Sequence, residues 1–201
     1  MDDSQFEHVK THYNGLVKKH GHSYRSCDWG SKEAQTKRFQ ILTGVCPLDG
    51  LNVLDVGCGP ADLCDYIEEI FTKVRYSGID VTPAMVELAK RRRPDIAFGL
   101  GSILTLPHLS AEVVFASGIF TFLQGDRRTQ MEQQIGAMFA ACSVALAFNS
   151  LSTYAENQEA GEFYANPLEV FAFCKTLTPW VVLRHDYHPG DFTIYMYKEQ
   201  H

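Results

Sequence analysis

The segment VLDVGCGPADL (53–63) constrains the fold of this chain more than any other stretch. A short apolar run ends at Gly57, a second glycine follows at Gly59, and an apolar-periodic stretch begins at Asp62. An apolar run of that length, bounded by turn residues, reads as a buried strand. Glycine after it permits a tight turn and lets a ligand approach the main chain. Open parallel sheets bind ligands beyond the carboxyl ends of their strands, where strand order reverses. The pattern therefore predicts a strand–turn–helix unit with a ligand over Asp55, Gly57, Cys58 and Gly59.

The remaining sequence alternates in the same way. Strands are predicted at 52–57, 74–81, 95–102, 111–118 and 143–150, with helices at 62–72, from Pro83 to Pro94, at 127–141 and from Pro167. Two closing strands, 180–187 and 191–198, are joined by a turn at His188–Pro189–Gly190. Short crossovers through helices make the earlier strands parallel. The expected fold is α/β and doubly wound: a mostly parallel seven-stranded sheet with a C-terminal antiparallel hairpin and helices on both faces. A helix at 5–19 and another at 32–45, capped by Ser31, precede it. No linker or repeat divides residues 1–201, which read as one domain, with 1–45 as N-terminal helices and 46–201 as the core.

Asp80 ends the second strand about 20 residues after the glycine turn, where a carboxylate can accept hydrogen bonds from two ribose hydroxyls. It is expected to face the crevice and to add little to stability. A dinucleotide site would need a third glycine at position 62, but Asp62 stands there. A carboxylate at a helix start opposes a pyrophosphate. No GK[ST] follows, which excludes a mononucleotide P-loop. S-adenosyl-L-methionine carries no phosphate, and its sulfonium and ammonium are compatible with nearby acids.

At this point the sequence resembles the class I (Rossmann-like) S-adenosylmethionine-dependent methyltransferases. DVGCG (55–59) is similar to their first motif, GIDVTPAMVELAK (78–90) to their second, and GSILTLP (101–107) and FASGIFTF (115–122) occupy the third and fourth. HGHSYRSCDWGSKEAQTKRFQIL (20–42) and LRHDYHPGDFTIYMYK (183–198) also resemble a bacterial subfamily of that class. Ala61 replaces the third glycine of the first motif, and Ser102 stands where the third motif often offers an acid to the adenine amine. The resemblance implies cofactor contacts at Asp55, Gly57, Cys58, Gly59, Asp80, Val81, Ser102, Ile103 and Ser117. It also implies that the segment before the first strand folds over the cofactor, with Tyr24 and Trp29 in a lid. Asn149 and Tyr154, at and beyond the end of the fifth strand, are candidate substrate contacts. The implied reaction is in-line methyl transfer to a small molecule, leaving S-adenosyl-L-homocysteine. The alternatives are cyclisation or transfer of another group from the sulfonium, and non-catalytic cofactor binding. No residue is singled out as catalytic.

The charge balance fits a small-molecule partner. Lys and Arg total 18 against 24 Asp and Glu, a formal net charge of −6. That gives no bulk electrostatic footprint for nucleic acid. No apolar run approaches the roughly 18 residues of a membrane span. MDDSQFEHVK lacks the basic start and apolar stretch of a signal peptide, which predicts a cytoplasmic protein. The six cysteines form no CxxC pair and are expected as buried free thiols, without a metal. Lys90–Arg93 is expected as a solvated helix end, and the cluster His185, Asp186, Tyr187 and His188 as structural or surface residues, not as a general base or metal site. No feature sets an oligomeric state.

Overall fold

The computed structural model describes residues 6–106 and 108–200. Gln5, the expected start of the first helix, and Pro107 of GSILTLP lie outside the described residues. Strands β1 (Asn52–Val56), β2 (Arg75–Asp80), β3 (Ala97–Leu100), β4 (Ala111–Ala116), β5 (Cys142–Leu151), β6 (Val181–Arg184) and β7 (Asp191–Tyr197) form one sheet. Its order is β3-β2-β1-β4-β5-β7-β6. Neighbours from β3 to β5 pair in parallel, and β7 runs antiparallel between β5 and β6. Strand order reverses between β1 and β4, which creates the crevice that such sheets use for ligands.

The helices are α1 (Glu7–His20), α2 (Lys32–Thr43), α3 (Asp62–Ile70), α4 (Pro83–Arg92), α5 (Arg127–Ala141) and α6 (Pro167–Leu177). A 3-10 turn, Tyr24–Cys27, links α1 to α2. Ser31 caps α2 by accepting the N–H of Ala34 at 3.0 Å. Asn166 caps α6, and Pro167 occupies its first turn, where a missing N–H costs nothing. Strand alternation divides the core. Val53, Val113, Phe115, Ala145 and Ala147 pack with Leu42 of α2 and Leu63 and Ile67 of α3. Leu54, Val114, Leu146 and Phe148 point the other way, against Met131 and Ile135 of α5 and Cys174 of α6. Among the described residues no helix is long and apolar enough to cross a membrane.

Two local expectations need correction. The hairpin link is longer than a three-residue turn, because β6 stops at Arg184. The Arg184 guanidinium turns to Asp186 at 2.8 and 3.0 Å, and the Tyr187 hydroxyl bonds Thr193 at 2.9 Å, so 185–190 forms a loop. The basic run at the end of α4 is also not simply solvated. Arg92 reaches the Pro60 carbonyl, Asp62 and Asp65, and Arg93 reaches Asp65 and Glu68 at 3.2 and 2.6 Å. These pairs clamp α4 to α3.

Candidate functional site

A cavity of about 400 Å³ lies at the carboxyl ends of β1, β2 and β4. The strand ends form one side. Phe6, Val9 and Tyr13 from the N-terminal segment, with Cys27 and Trp29, form another.

The glycine turn is shaped by its neighbours. Gly57 and Gly59 have φ of 76° and 53°, the left-handed region that glycine occupies freely. A Cβ on Gly57 would collide with the Ile119 side chain. The Gly57 and Cys58 N–H groups donate to the Ile79 carbonyl at 2.8 and 3.0 Å. The Gly59 N–H instead donates to Asp80 Oδ2 at 3.0 Å, while Asp80 Oδ1 accepts the Thr82 N–H at 2.8 Å. Asp80 is therefore buried, at 8% exposure, and not the open crevice residue expected. The turn after β1 wraps over it. Each carboxylate oxygen keeps acceptor capacity beyond its backbone partner. Burial pushes the Asp80 carboxyl above its usual range, and the N–H groups of Thr82 and Gly59 oppose that shift.

Asp55 also lies on the cavity wall and is buried. Burial pushes its carboxyl up to about 7, against the Tyr76 hydroxyl that donates to it. The Cys58 thiol is pushed well up by burial, then by Asp80 and Asp55, which disfavours the nucleophilic thiolate. All six cysteines are free thiols; Cys27 is half-buried beside the cavity and the other five are buried. Ala61 has φ 68°, so the position where the motif carries its third glycine is left-handed here too.

Asp62, the acid that argued against a dinucleotide, joins four parts of the chain. Its Oδ1 meets His22 at 2.9 Å and Arg92 at 3.2 Å, and its Oδ2 accepts the Gln35 amide at 3.0 Å. The N-terminal segment is thereby tied to the start of α3. His8 also contacts the Phe122 carbonyl, and Asn14 accepts the Ala84 N–H at 3.3 Å.

At the β4 end, Asn149 of β5 accepts the Gly118 N–H at 2.8 Å and donates to Ser117 Oγ at 3.0 Å. Trp29 packs over Gly118, where an added Cβ would lie 3.3 Å from the indole. The Arg38 guanidinium stacks 4.7 Å from the Trp29 ring and pairs with buried Asp191, which also lies 3.1 Å from His188 Nδ1.

The structure thus brings Asp55, Gly57, Cys58, Gly59, Asp80, Val81, Ser102, Ile103, Ser117 and Trp29 onto one cavity. Asn149 stands behind that wall. Tyr154 is 57% exposed and its ring lies 5.8 Å from that of His185, away from the cavity; Tyr24 is not on the wall either. Sequence reading did not single out Tyr13, Arg38, Gln134 or Glu162, which are on it, and took His188, also on it, for a structural or surface residue. Gln134 carried a signal: it falls on the apolar face of α5, three residues after Met131 and four before Met138.

Apolar walls with a few converging polar groups are what a small-molecule site needs. Among the described residues, Gln134 Nε2 is buried without a hydrogen-bond partner, and Gln134 lines this cavity. The carboxylates of Asp55 and Asp80 suit a cationic nucleoside, and nothing on the turn is arranged for a phosphate. The residues fit S-adenosylmethionine.

Comparison with known proteins agrees with this geometry. Residues 53–140 match the model of a family described as a methyltransferase domain. A Mycobacterium tuberculosis protein described as a methyltransferase, Rv1506c, is 31% identical over 157 residues, covering 75% of this chain and 95% of that relative. Trans-aconitate 2-methyltransferase of Methylobacterium radiotolerans is 30% identical over 109 residues, 53% of this chain and 42% of the relative. This chain thus spans under half the length of that enzyme. Among solved structures, the complex of DhpI with S-adenosylhomocysteine superposes with a TM-score of 0.71 at 14% identity, covering 97% of each chain. Magnesium protoporphyrin IX methyltransferase from Synechocystis, with bound S-adenosylmethionine, gives 0.66 at 12% identity, covering 94% of this chain and 95% of that one. The fold is Rossmann-like, and the cavity fits a nucleoside cofactor. The chain belongs to the class I S-adenosylmethionine-dependent methyltransferases. S-adenosyl-L-methionine is the cofactor of that class, and the residues of the cavity fit it.

Proposed function

We propose that this enzyme transfers a methyl group to a small molecule held beside the cofactor in the one cavity. When bound, the cofactor supplies a methyl group on a sulfonium, already activated for in-line displacement. The chain's own task is then to align the acceptor and exclude water. Asp80 takes the ribose hydroxyls. Asp55, Gly57, Cys58 and Gly59 form the floor under the methionine moiety, and Ser117 borders it. Val81, Ser102 and Ile103 flank the adenine. The segment from α1 to Trp29 acts as the lid.

The observation that carries the small-molecule reading is the continuity of the cavity. The same cavity is lined by Asp80 and Ser102 and by a second set of polar side chains, Tyr13 of α1, Thr121, Glu162 and His188. These four residues are proposed as the acceptor end. Asn149 serves it indirectly by fixing Ser117 and Gly118. Tyr154 is proposed as an outer contact for acceptors that extend past the His188 side. The relatives named for trans-aconitate, a small acid, support an acceptor of that size. The test is incubation with methyl-labelled cofactor and a panel of small metabolites, read by mass. Label in a low-molecular-mass product supports the reading. Label only in protein or nucleic acid overturns it.

A further inference from the structure

We infer that the methyl acceptor is a small amine, positively charged at neutral pH, with the Glu162 carboxylate as its counterion. This rests on the small-molecule reading above and adds the charge class of the substrate to it. Among the described residues the cavity wall carries five acids, Asp28, Asp55, Asp62, Asp80 and Glu162, against one permanent cation, Arg38. Four of the acids are accounted for. Asp55 and Asp80 are assigned to the cofactor, Asp62 is tied to Arg92 at 3.2 Å, and Asp28 lies 2.8 Å from His12. Arg38 is engaged as well: it pairs with Asp191, donates to the Ala34 carbonyl at 3.0 Å and stacks on Trp29. His188 lies 3.1 Å from the same Asp191 carboxylate. An acidic acceptor would therefore enter a cavity with an excess of negative charge and no free guanidinium, and burying an unpaired anion is costly.

Glu162 is the acid left over. Its Oε2 accepts the Tyr164 hydroxyl, and among the described residues its carboxylate forms no ion pair; Arg127 donates to its backbone carbonyl instead, at 3.3 Å. The Phe163 N–H donates to the Thr121 carbonyl at 2.7 Å, which fixes Glu162 beside the segment that follows β4. Asp80 ends β2, on the far side of β1. The two carboxylates thus flank the glycine turn, one on the ribose side and one on the side of Ser117. Tyr13 stands between them: burial first, then Cys27, Asp28, Asp80 and Glu162, pushes its phenol up and keeps it neutral. Its ring lies 6.0 Å from that of Phe122, edge to face, and both rings line the cavity. Aromatic faces attract an ammonium, and a carboxylate beside them completes its pairing.

A panel of small metabolites, sorted on ion exchangers at pH 7 into amines, neutral compounds and acids, tests this with methyl-labelled cofactor and detection by mass. Labelled product should come from the amine fraction, and the acids should neither react nor compete. In Glu162→Gln, which keeps an oxygen for the Tyr164 hydroxyl, KM for the amine should rise at least about tenfold, the size of one charge-assisted hydrogen bond. S-adenosylhomocysteine affinity, read by calorimetry, should stay unchanged in that variant. Glu162→Asp, which keeps the charge, should recover part of the loss. Product from the acid or neutral fraction alone overturns the inference, as does an unchanged KM in Glu162→Gln or a matching loss of S-adenosylhomocysteine affinity. Should Glu162→Gln not fold, the sorted panel with the wild type decides. A wild type that binds S-adenosylhomocysteine but labels no fraction would instead overturn the small-molecule reading, and the inference with it.

Discussion

The carboxylate of Asp80 accepts the backbone N–H of Gly59 at 3.0 Å, so the end of β2 holds the turn that follows β1. The residue has two tasks at once. Asp80→Ala should weaken S-adenosylhomocysteine binding at least about tenfold, because charge-assisted bonds to the ribose are lost. It should also leave the Gly59 and Thr82 N–H groups without a partner, at about 1–3 kcal/mol each. A melting point lower by several degrees is expected, at about 2–4 °C per kcal/mol for a chain of this size. Titration and melting of the same variant check both effects.

Asp55 should make both stability and cofactor binding depend on pH. Its folded-state carboxyl is raised from 3.8 to about 7 by burial. The folded protein therefore binds more protons than the unfolded chain between those values, so its stability falls as pH rises through that window. A cationic cofactor favours the carboxylate, so binding should tighten as pH rises toward and past 7 and should release a proton. Calorimetry in buffers of different ionisation enthalpy measures that release. Asp55→Asn should abolish it and flatten the stability profile.

Ala61 holds a left-handed conformation, which costs an L-residue roughly 1–2 kcal/mol. Ala61→Gly should therefore raise the melting temperature by about 2–8 °C, with cofactor affinity kept. A lower melting temperature would contradict the strain.

Arg38 and Asp191 form a mostly buried ion pair, with side chains 11% and 3% exposed. Arg38→Met should cost up to about 3–5 kcal/mol by leaving buried Asp191 with His188 alone beside it. Adding Asp191→Asn should recover part of that loss, which a double-mutant cycle on denaturant midpoints would read.

Trp29 lies over Gly118 at the cavity, whereas Trp180 sits on the surface, 38% exposed. Cofactor binding should shift the indole fluorescence and slow amide exchange across 24–31. The fluorescence change should vanish in Trp29→Phe and persist in Trp180→Phe.

The fold was legible because its signals are local: glycine after an apolar run, proline at helix starts, an acid at a strand end. Asp80 was legible as a ligand residue for the same reason. Its burial was not, because the Gly59 N–H that covers it comes from the turn after a different strand, β1. Arg92 and Arg93 look solvated until α3 places Asp65 and Glu68 opposite them. Tyr154 follows a strand that points at the site, but a bridge from Ser152 to Ala165 fixes the chain there and leaves the ring outside. Arg38 and His188 reach one cavity from opposite ends of the chain, joined through Asp191, and no spacing in the sequence signals that meeting.

A crystal structure with S-adenosylhomocysteine tests the central claim most directly. The account predicts ribose hydroxyls within hydrogen-bond distance of Asp80, over the Gly57–Gly59 turn, with the homocysteine sulfur turned toward Ser117 and the acceptor end. Ligand bound elsewhere, or a ribose that leaves Asp80 untouched, would contradict it.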